Sequence, residues 1–329
     1  MARLLAGAGS NATKLRLSRR LVFFHMPRLV PRHYHVGLWV RPAARTAFTL
    51  VELLVVIAII AILAGLLLPT LIRGRQKSQG LSCMNSHRQL TLAWRMYCDD
   101  FADVLPFASR TPMRPELDRY SWVLGDLDFD PTNADNWDAD RTIKRSPLWP
   151  YCGQSTEIWR CPADHSALTV KGVRKPRVRS MSMNLWVGGF GGTDGALSGG
   201  WMGGPPDWYV VGGSKWRVFL KMNEIIDPGP SRTFLLMDMR EDSVDWGNFA
   251  TDMTGWPDQP QAAGFYDLPA NYHYRAGGLS FVDGHAEIHR WRDDRTMPPL
   301  VLNGEVTDTF GSPNNPDVRW LQEHATRLK

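Results

Sequence analysis

The longest apolar run in the chain predicts one membrane-spanning helix near the N-terminus. The run covers residues 48–68 and contains a single charged side chain, Glu52. In a helix that rises about 1.5 Å per residue, the run extends over about 31 Å, close to the hydrocarbon thickness of a bilayer. A carboxylate is costly to keep inside such a segment, so Glu52 is a candidate functional residue.

Beyond this run, apolar side chains continue to recur at helical spacing. They are Leu71, Leu81, Met84, Leu90, Leu92, Trp94 and Tyr97. The pattern predicts one long helix over residues 48–104, whose outer half packs on a globular domain. Pro69 removes one backbone hydrogen bond and is expected to bend or loosen this helix.

Residues 106–329 are expected to form an antiparallel sheet with long loops, which makes the fold class α+β. Short apolar runs bounded by turn residues predict strands at 177–183, 208–211, 233–237, 279–282 and 286–291. Asp283 and Gly284 lie between the last two strands, where a type I′ hairpin turn prefers such residues. The glycine-rich stretch 188–204 is expected to be a mobile loop.

The net charge of +5 arises from the first 47 residues. They contain nine Lys or Arg and no acid, so the remainder of the chain carries −4. This basic flank predicts that the N-terminus is cytoplasmic. Residues 48–329 lack the positive charge that nucleic-acid binding requires. Met26 is an alternative start that would shorten the basic leader to 22 residues.

The sequence AFTLVE at residues 47–52 resembles the N-terminus of type IV pilins and type II secretion pseudopilins. The resemblance implies a pilin-like fold in which a prepilin peptidase cleaves between Ala47 and Phe48 and methylates the new Phe48 amine. Pro69 then falls at mature position 22, where many of these proteins carry proline. This chain has Ala47 where the family usually has Gly before the cut.

Cleavage would create a charged amine at Phe48, which gives Glu52 a partner during assembly. The Glu52 carboxylate of one subunit would pair with the Phe48 amine of the next, because buried charges persist when they are paired. This contact would fix the register between pilin or pseudopilin subunits in a filament. The alternative is an ordinary signal anchor with a Glu near its end.

A second resemblance lies in the domain. His273, nine further residues and then Asp283 and Gly284 match the H-X9-DG signature of large pilin-like proteins from planctomycete and verrucomicrobial bacteria. The resemblance implies a pilin-like domain, with its motif at 273–284, and a role linked to prepilin processing or assembly. The motif is either a ligand set formed by His273, Asp283 and His285, or a hairpin turn. The turn preferences of Asp and Gly favour the turn.

Other candidate ligands give no zinc pattern. No C-x-x-C occurs, and His285 and His289 would lie about 13 Å apart on one strand. Asp238, Glu241, Asp242 and Asp245 are calcium candidates, as is the alternating run at 126–130, but neither group matches an EF-hand and solvated surface charge is the default. No other metal or cofactor is predicted.

The four cysteines permit disulfides if the domain lies outside the cytoplasm. Cys83 and Cys98 would be about 22 Å apart on one helix, too far to bridge each other. Cys83–Cys161 with Cys98–Cys152 is the favoured pairing. The crossed pairing, a Cys152–Cys161 bridge with two free thiols, and four reduced thiols are the alternatives.

These patterns favour a non-enzymatic subunit, since no common catalytic motif occurs. We expect a single-pass bacterial inner-membrane protein that is assembled into a pilus or type II pseudopilus. The alternative is a stand-alone envelope-anchored polysaccharide-binding protein, suggested by Trp122, Trp137, Trp201, Trp208, Trp246 and Trp256. The expected segments are a leader at 1–47, a transmembrane part at 48–72, the outer helix at 73–105 and a periplasmic domain at 106–329.

Overall fold

The computed structural model describes residues 49–110, 115–189, 216–306 and 310–329. The chain divides into two compact units, Met1–Ile57 and Ala58–Lys329. Most of the stretch 188–204, the strand expected at 208–211, and the residues Ala47, Phe48, Trp201 and Trp208 lie outside the described residues.

Helix α1 spans Leu50–Asp100 without interruption and includes Pro69. It ends four residues before the predicted limit. Ala102 and Asp103 adopt φ values of 53° and 65°, a left-handed conformation that cannot continue a right-handed helix. The Asp103 N–H instead donates to the Cys98 carbonyl at 2.9 Å and closes the last turn.

The described residues of the second unit include the strands β1 (Ala167–Val170), β2 (Val173–Pro176), β3 (Met181–Asn184), β4 (Phe234–Asp238), β5 (Asn248–Phe249), β6 (Gly264–Phe265), β7 (Ala276–Phe281), β8 (Ala286–Arg290) and β9 (Phe310–Gly311). Five of them form a mixed sheet of order β5-β3-β4-β7-β8, in which only β3 and β5 are parallel. Strands β1 and β2 form a separate antiparallel pair, as do β6 and β9. The fold is therefore α+β, with one long N-terminal helix and a mainly antiparallel sheet.

The β7–β8 turn occurs where the sequence predicts it, but the predicted type I′ geometry is wrong. The Gly284 N–H donates to the Phe281 carbonyl, and the Phe281 N–H donates to the His285 carbonyl, both at 2.9 Å. Gly284 has a φ of 101°, whereas Asp283 does not have a positive φ. A type I′ turn needs two such residues, so this is a longer loop in which glycine alone supplies the left-handed position.

The outer half of α1 packs on the sheet. Cys83, His87, Leu90, Trp94 and Cys98 recur every three or four residues and are all 0% exposed. The whole of β4 is buried as well. The Thr91 hydroxyl donates to Ser280 of β7 at 2.8 Å, which satisfies two buried polar groups at the helix–sheet contact.

Helix α2 (Pro316–Ala325) is an element that the apolar pattern did not predict. The Asn315 side chain accepts hydrogen bonds from the backbone N–H groups of Asp317 and Val318, and Pro316 occupies the first turn. Trp320 stacks on His289 of β8 with 3.8 Å between ring centroids. This contact attaches α2 to the edge strand of the sheet.

Candidate functional site

The N-terminal part of α1 exposes nearly every large apolar side chain. Between residues 50 and 72, exposed fractions run from 45% at Val56 to 78% at Leu50. An 18-residue window has a mean hydropathy of 3.0, and the helix is long and apolar enough to cross a membrane. This segment fits a single-pass membrane anchor.

Thr49 and Glu52 form a capping box at the start of α1. The Glu52 Oε2 atom accepts from the Thr49 backbone N–H at 2.8 Å and from its hydroxyl at 2.7 Å. The Thr49 hydroxyl oxygen accepts from the Glu52 N–H at 3.2 Å. These bonds satisfy two of the backbone donors that a helix start leaves unpaired. The T-x-x-E spacing is a recognised capping signal, so this role of Glu52 was predictable from the sequence.

All four cysteines are free, buried thiols, so the predicted disulfides are not formed in the structure. The favoured partners Cys83 and Cys161 nevertheless come together. Tyr97 and Tyr151 precede Cys98 and Cys152 of the second predicted pair, and the centroids of their rings lie 6.5 Å apart. Burial is the main cause that raises the pKa of Cys98 to about 12.

Cys83, Cys161, Asp238 and His273 place one ligand atom each within 4.8 Å of one another. We call this group the Cys–His–Asp cluster. Among the described residues, it is the set of potential metal ligands that gathers in this way. The Cys83 thiol donates to Asp238 Oδ2 at 2.7 Å, and Cys161 Sγ lies 3.3 Å from His273 Nε2. All four residues are at most 8% exposed.

Each member comes from a different element. Cys83 lies on the buried face of α1, Asp238 ends β4, and Cys161 follows a short 3-10 helix at Glu157–Trp159. His273 precedes a tight turn into β7, where Tyr274 and Arg275 take φ values of 58° and 62°. Two consecutive left-handed non-glycine residues cost about 1–2 kcal/mol each, which the surrounding structure must offset.

Ser180 and His87 adjoin the cluster. The Ser180 hydroxyl oxygen accepts from the Cys161 backbone N–H at 2.8 Å, and the hydroxyl donates to Asp238 Oδ1 at 3.1 Å. His87 is fully buried one helical turn after Cys83, and its Nε2 atom lies 3.6 Å from Asp238 Oδ2. Neither ring nitrogen of His87 has a hydrogen-bond partner within normal geometry.

The surroundings of the two thiols in the cluster disfavour their thiolate forms. The contact with Cys161, burial and the Asp238 charge raise the pKa of Cys83 well above its ordinary value. The contact with Cys83 lowers the pKa of Cys161, but burial and nearby carboxylates outweigh it and the net pKa is raised. Because the thiolate is the nucleophilic form of cysteine, these surroundings do not activate either thiol.

The H-X9-DG residues do not converge on one site. His273 belongs to the cluster, whereas Asp283 and His285 pair at the β7–β8 turn, with 2.6 Å between His285 Nδ1 and Asp283 Oδ1. Arg95 of α1 also donates to the Asp283 carbonyl at 2.7 Å. His289 pairs with Glu287 at 3.1 Å. The histidine and the turn therefore have separate structural surroundings.

The calcium candidates do not gather into one group of ligands among the described residues, and arginines contact their loop. Arg177 donates to the carbonyls of Glu241 and Val244, and Arg179 donates to the Asp245 carbonyl. The Asp242 carboxylate is engaged by Arg240, while Asp238 belongs to the Cys–His–Asp cluster. The run at 126–130 is likewise tied by side-chain hydrogen bonds, such as Asn136 to Asp128 at 2.7 Å.

The tryptophans named for sugar stacking give no support to polysaccharide binding. Trp122 is fully buried. Three more of the tryptophans named for sugar stacking lie in the described residues, and a cation lies over each of their rings. Lys175 lies over Trp137 at 3.4 Å, Arg110 over Trp246 at 5.9 Å and Arg319 over Trp256 at 5.1 Å. These contacts are ordinary cation–π packing.

Comparison with known proteins places a recognised motif at the N-terminus. Residues 43–68 match the family model of the prokaryotic N-terminal methylation motif. The matched stretch includes Ala47, Phe48 and Glu52. No curated protein and no solved structure matches the chain. The motif and the exposed apolar helix together support a type IV pilin-like protein of the class that a prepilin peptidase processes.

Proposed function

We propose that the chain is a prepilin-type subunit of the inner membrane that is assembled, after processing, into a pilus or type II secretion pseudopilus. In this proposal the leader 1–47 is cytoplasmic and is removed between Ala47 and Phe48. Residues 48–72 span the membrane, residues 73–105 form the outer helix, and residues 106–329 form the periplasmic domain. The match of residues 43–68 to the methylation motif is the observation that carries the proposal.

The exposed side chains of residues 50–72 support an assembly role. An apolar helix without a core of its own must be covered by lipid or by other helices. In the membrane, lipid covers it; in a filament, the same face of neighbouring subunits would do so. Prepilin peptidase and other pilin or pseudopilin subunits are therefore the expected partners. The motif favours a structural subunit over an enzyme.

The capping box suggests how Glu52 is tolerated before assembly. Its hydrogen bonds with Thr49 satisfy part of the carboxylate within its own helix. Both bonds use Oε2, so Oε1 can accept from the Phe48 amine of a neighbouring subunit while Thr49 stays bound. Glu52 would then serve in capping in the free subunit and in charge pairing in the filament.

Two substitutions separate charge pairing from capping. Glu52→Gln removes the charge but keeps an acceptor that can complete the capping box. Thr49→Val removes the capping hydroxyl and leaves the charge. If pairing drives assembly, Glu52→Gln is cleaved and methylated normally yet is lost from sheared or purified filaments, whereas Thr49→Val is incorporated.

Processing is followed by mass spectrometry of the mature N-terminus, and incorporation by immunoblotting of the filament fraction. Normal incorporation of Glu52→Gln would contradict the pairing mechanism. Failure of Thr49→Val alone would assign Glu52 to helix capping. Absence of cleavage in the unmodified chain would overturn the proposed function itself.

A further inference from the structure

The Cys–His–Asp cluster has the donor types and the closeness of a metal site. Thiolate, imidazole and carboxylate all bind zinc, and structural zinc takes four ligands in a tetrahedron, most often from cysteine and histidine. With metal–ligand bonds of about 2.0–2.3 Å, the ligand atoms of such a site lie about 3.3–3.8 Å apart. The distance of 3.3 Å between Cys161 Sγ and His273 Nε2 already fits. The 2.7 Å contact between Cys83 and Asp238 needs to open by about 0.8 Å, and ligand atoms that lie up to 4.8 Å apart need to move together by about 1 Å.

Hydrogen bonds do not satisfy all of the buried polar atoms around the cluster. His87 is 0% exposed, and neither of its ring nitrogens has a hydrogen-bond partner; Nδ1 of the buried His273 also has none. Buried polar atoms are rarely left unpaired, so this interior holds more polar groups than its own hydrogen bonds satisfy. The His87 ring is directed toward the cluster, because its Nε2 atom lies 3.6 Å from Asp238 Oδ2, and this atom and Cys83 Sγ both lie within 3 Å of the place where a side chain on Gly278 would begin.

Gly278 of β7 makes the room for this convergence. A Cβ atom at this position would lie 2.6 Å from Cys83 Sγ, 2.8 Å from Asp238 Oδ2 and 2.9 Å from His87 Nε2. The φ of Gly278 is not in the left-handed region, so the backbone itself does not require glycine. The small residue is therefore explained by the space that the polar groups need beside it.

We propose that Cys83, Cys161, Asp238 and His273 bind one Zn²⁺ ion in a closed, four-coordinate site that fastens α1 to the sheet. Binding releases one proton from each thiol to solvent, and both thiolates, the Asp238 carboxylate and the neutral His273 imidazole then coordinate the ion. The ligands carry three negative charges against two on the metal. An N–H of His87 beside Asp238 stabilises this surplus negative charge.

Groups around the ligands are placed to orient them. Ser180 holds Asp238 Oδ1 and the Cys161 backbone, which leaves Asp238 Oδ2 for the ion. The Ala163 N–H donates to Cys161 Sγ at 3.4 Å, a contact that stabilises a thiolate. Supporting contacts of this kind are a general feature of metal sites. Cys161 and His273 also border separate surface grooves.

Zinc at this position would tie four distant stretches of chain together. The ion would link the face of α1 that begins at Cys83 to β4, to the segment before β7 and to the loop after Trp159. Metal binding then adds directly to folding stability, because the site does not exist in the unfolded chain. The site does not depend on cleavage or assembly of the chain.

The test uses the full chain purified in detergent micelles, without added chelator. Elemental analysis is expected to find one equivalent of zinc, and exchange for Co²⁺ is expected to give the visible absorption and thiolate charge-transfer bands of a tetrahedral site. Removing zinc with a chelator should lower the thermal midpoint, and free Zn²⁺ about a hundredfold above its dissociation constant should restore about 5–10 °C.

Matched cysteine variants locate the ion. Cys83→Ser should lose the zinc and the cobalt bands, whereas Cys98→Ser should keep both, although Cys98 lies on the same helix and is equally buried. Ser180→Ala, which leaves all four ligands, should weaken zinc binding by about 10–100-fold. Far-ultraviolet circular dichroism checks that each variant is folded.

Three outcomes would overturn the proposal. The first is zinc content that is equal in Cys83→Ser and Cys98→Ser. The second is the absence of zinc together with no thermal shift when Zn²⁺ is added to the unmodified chain. The third is a Cys83–Cys161 disulfide in the native protein, seen as a linked pair of Cys83 and Cys161 peptides after the free thiols are alkylated in denaturant and chelator. Alkylation of both Cys83 and Cys161 shows that the two thiols are available to zinc.

Discussion

The two halves of α1 share one helical backbone but have opposite surroundings. In the N-terminal half, apolar residues occupy every side of the helix, and large side chains such as Leu50 and Ile62 are 78% and 64% exposed. In the outer half, apolar residues form a stripe, and Leu90 and Trp94 on that stripe are completely buried. The first half needs partners from outside the chain, whereas the second half builds a core with its own sheet.

This difference separates two kinds of information in the sequence. An uninterrupted apolar run indicates that the segment needs an apolar environment, but it does not identify the neighbours that cover it. A stripe with a period of three to four residues predicts which face of the helix is buried, and this prediction can be tested within a single chain.

Trp94→Ala should unfold the domain far more easily than a substitution on the opposite side of α1. Removing a fully buried Trp side chain costs about 3–5 kcal/mol, because the neighbouring side chains cannot refill the volume. Leu92→Ala is the matched control: Leu92 is 60% exposed, so its loss should stay within about 0.5 kcal/mol. Chemical denaturation of the full chain in micelles measures both, and equal effects would refute the buried stripe.

Asp245→Asn should change how the stability of the domain depends on pH. Burial of the carboxylate raises the pKa of Asp245 to about 6, and burial together with the Asp245 charge raises that of Asp267 further. The folded state therefore holds a proton that the unfolded chain releases near pH 4. Stability contributed by the protonated Asp245 is complete below about pH 4 and is lost as the pH rises to about 6.

The difference in the free energy of unfolding between the variant and the unmodified chain should therefore grow as the pH rises. Between about pH 4 and pH 7, the free energy of unfolding should shift by roughly 1–3 kcal/mol in favour of Asp245→Asn. Asparagine retains an oxygen that can accept from the Trp246 N–H, as Asp245 does. Denaturation curves at several pH values give the difference, and one that stays constant with pH would contradict the raised pKa.

Thr49→Val should have the smallest effect, confined to the first turn of α1. Loss of an N-cap hydroxyl costs about 1 kcal/mol of helix stability. Hydrogen exchange in micelles should therefore speed up at the amides of residues 51–53, while Thr49→Ser should preserve their protection. Faster exchange along the buried outer half would show that the two halves are not independent.

The sequence predicted the elements whose signals are local. The membrane-length helix, β4, β7 and β8 were recognisable because their apolar runs are long or end in a turn. The short strands β5, β6 and β9 have two residues each, too few for any period to appear. Helix α2 did have a readable signal, since Asn315 and Pro316 are a typical helix start.

The candidate sites were predictable to different degrees. Residues 47–52 are contiguous, so their resemblance to a prepilin segment was visible, and the T-x-x-E cap lay in the same six residues. The Cys–His–Asp cluster combines Cys83, Cys161, Asp238 and His273, which no spacing rule connects. Only the packing of α1 on the sheet brings these groups together, so the absence of C-x-x-C carries no information about this cluster.

The most direct test of the central claim is the chemical identity of the mature N-terminus, determined by mass spectrometry on protein from native membranes. Prepilin processing predicts a chain that begins at Phe48 with a methylated amine, despite Ala47 before the cut. A chain that retains its leader, or that begins elsewhere, would contradict the assignment as a processed pilin-like subunit and would leave a permanent signal anchor.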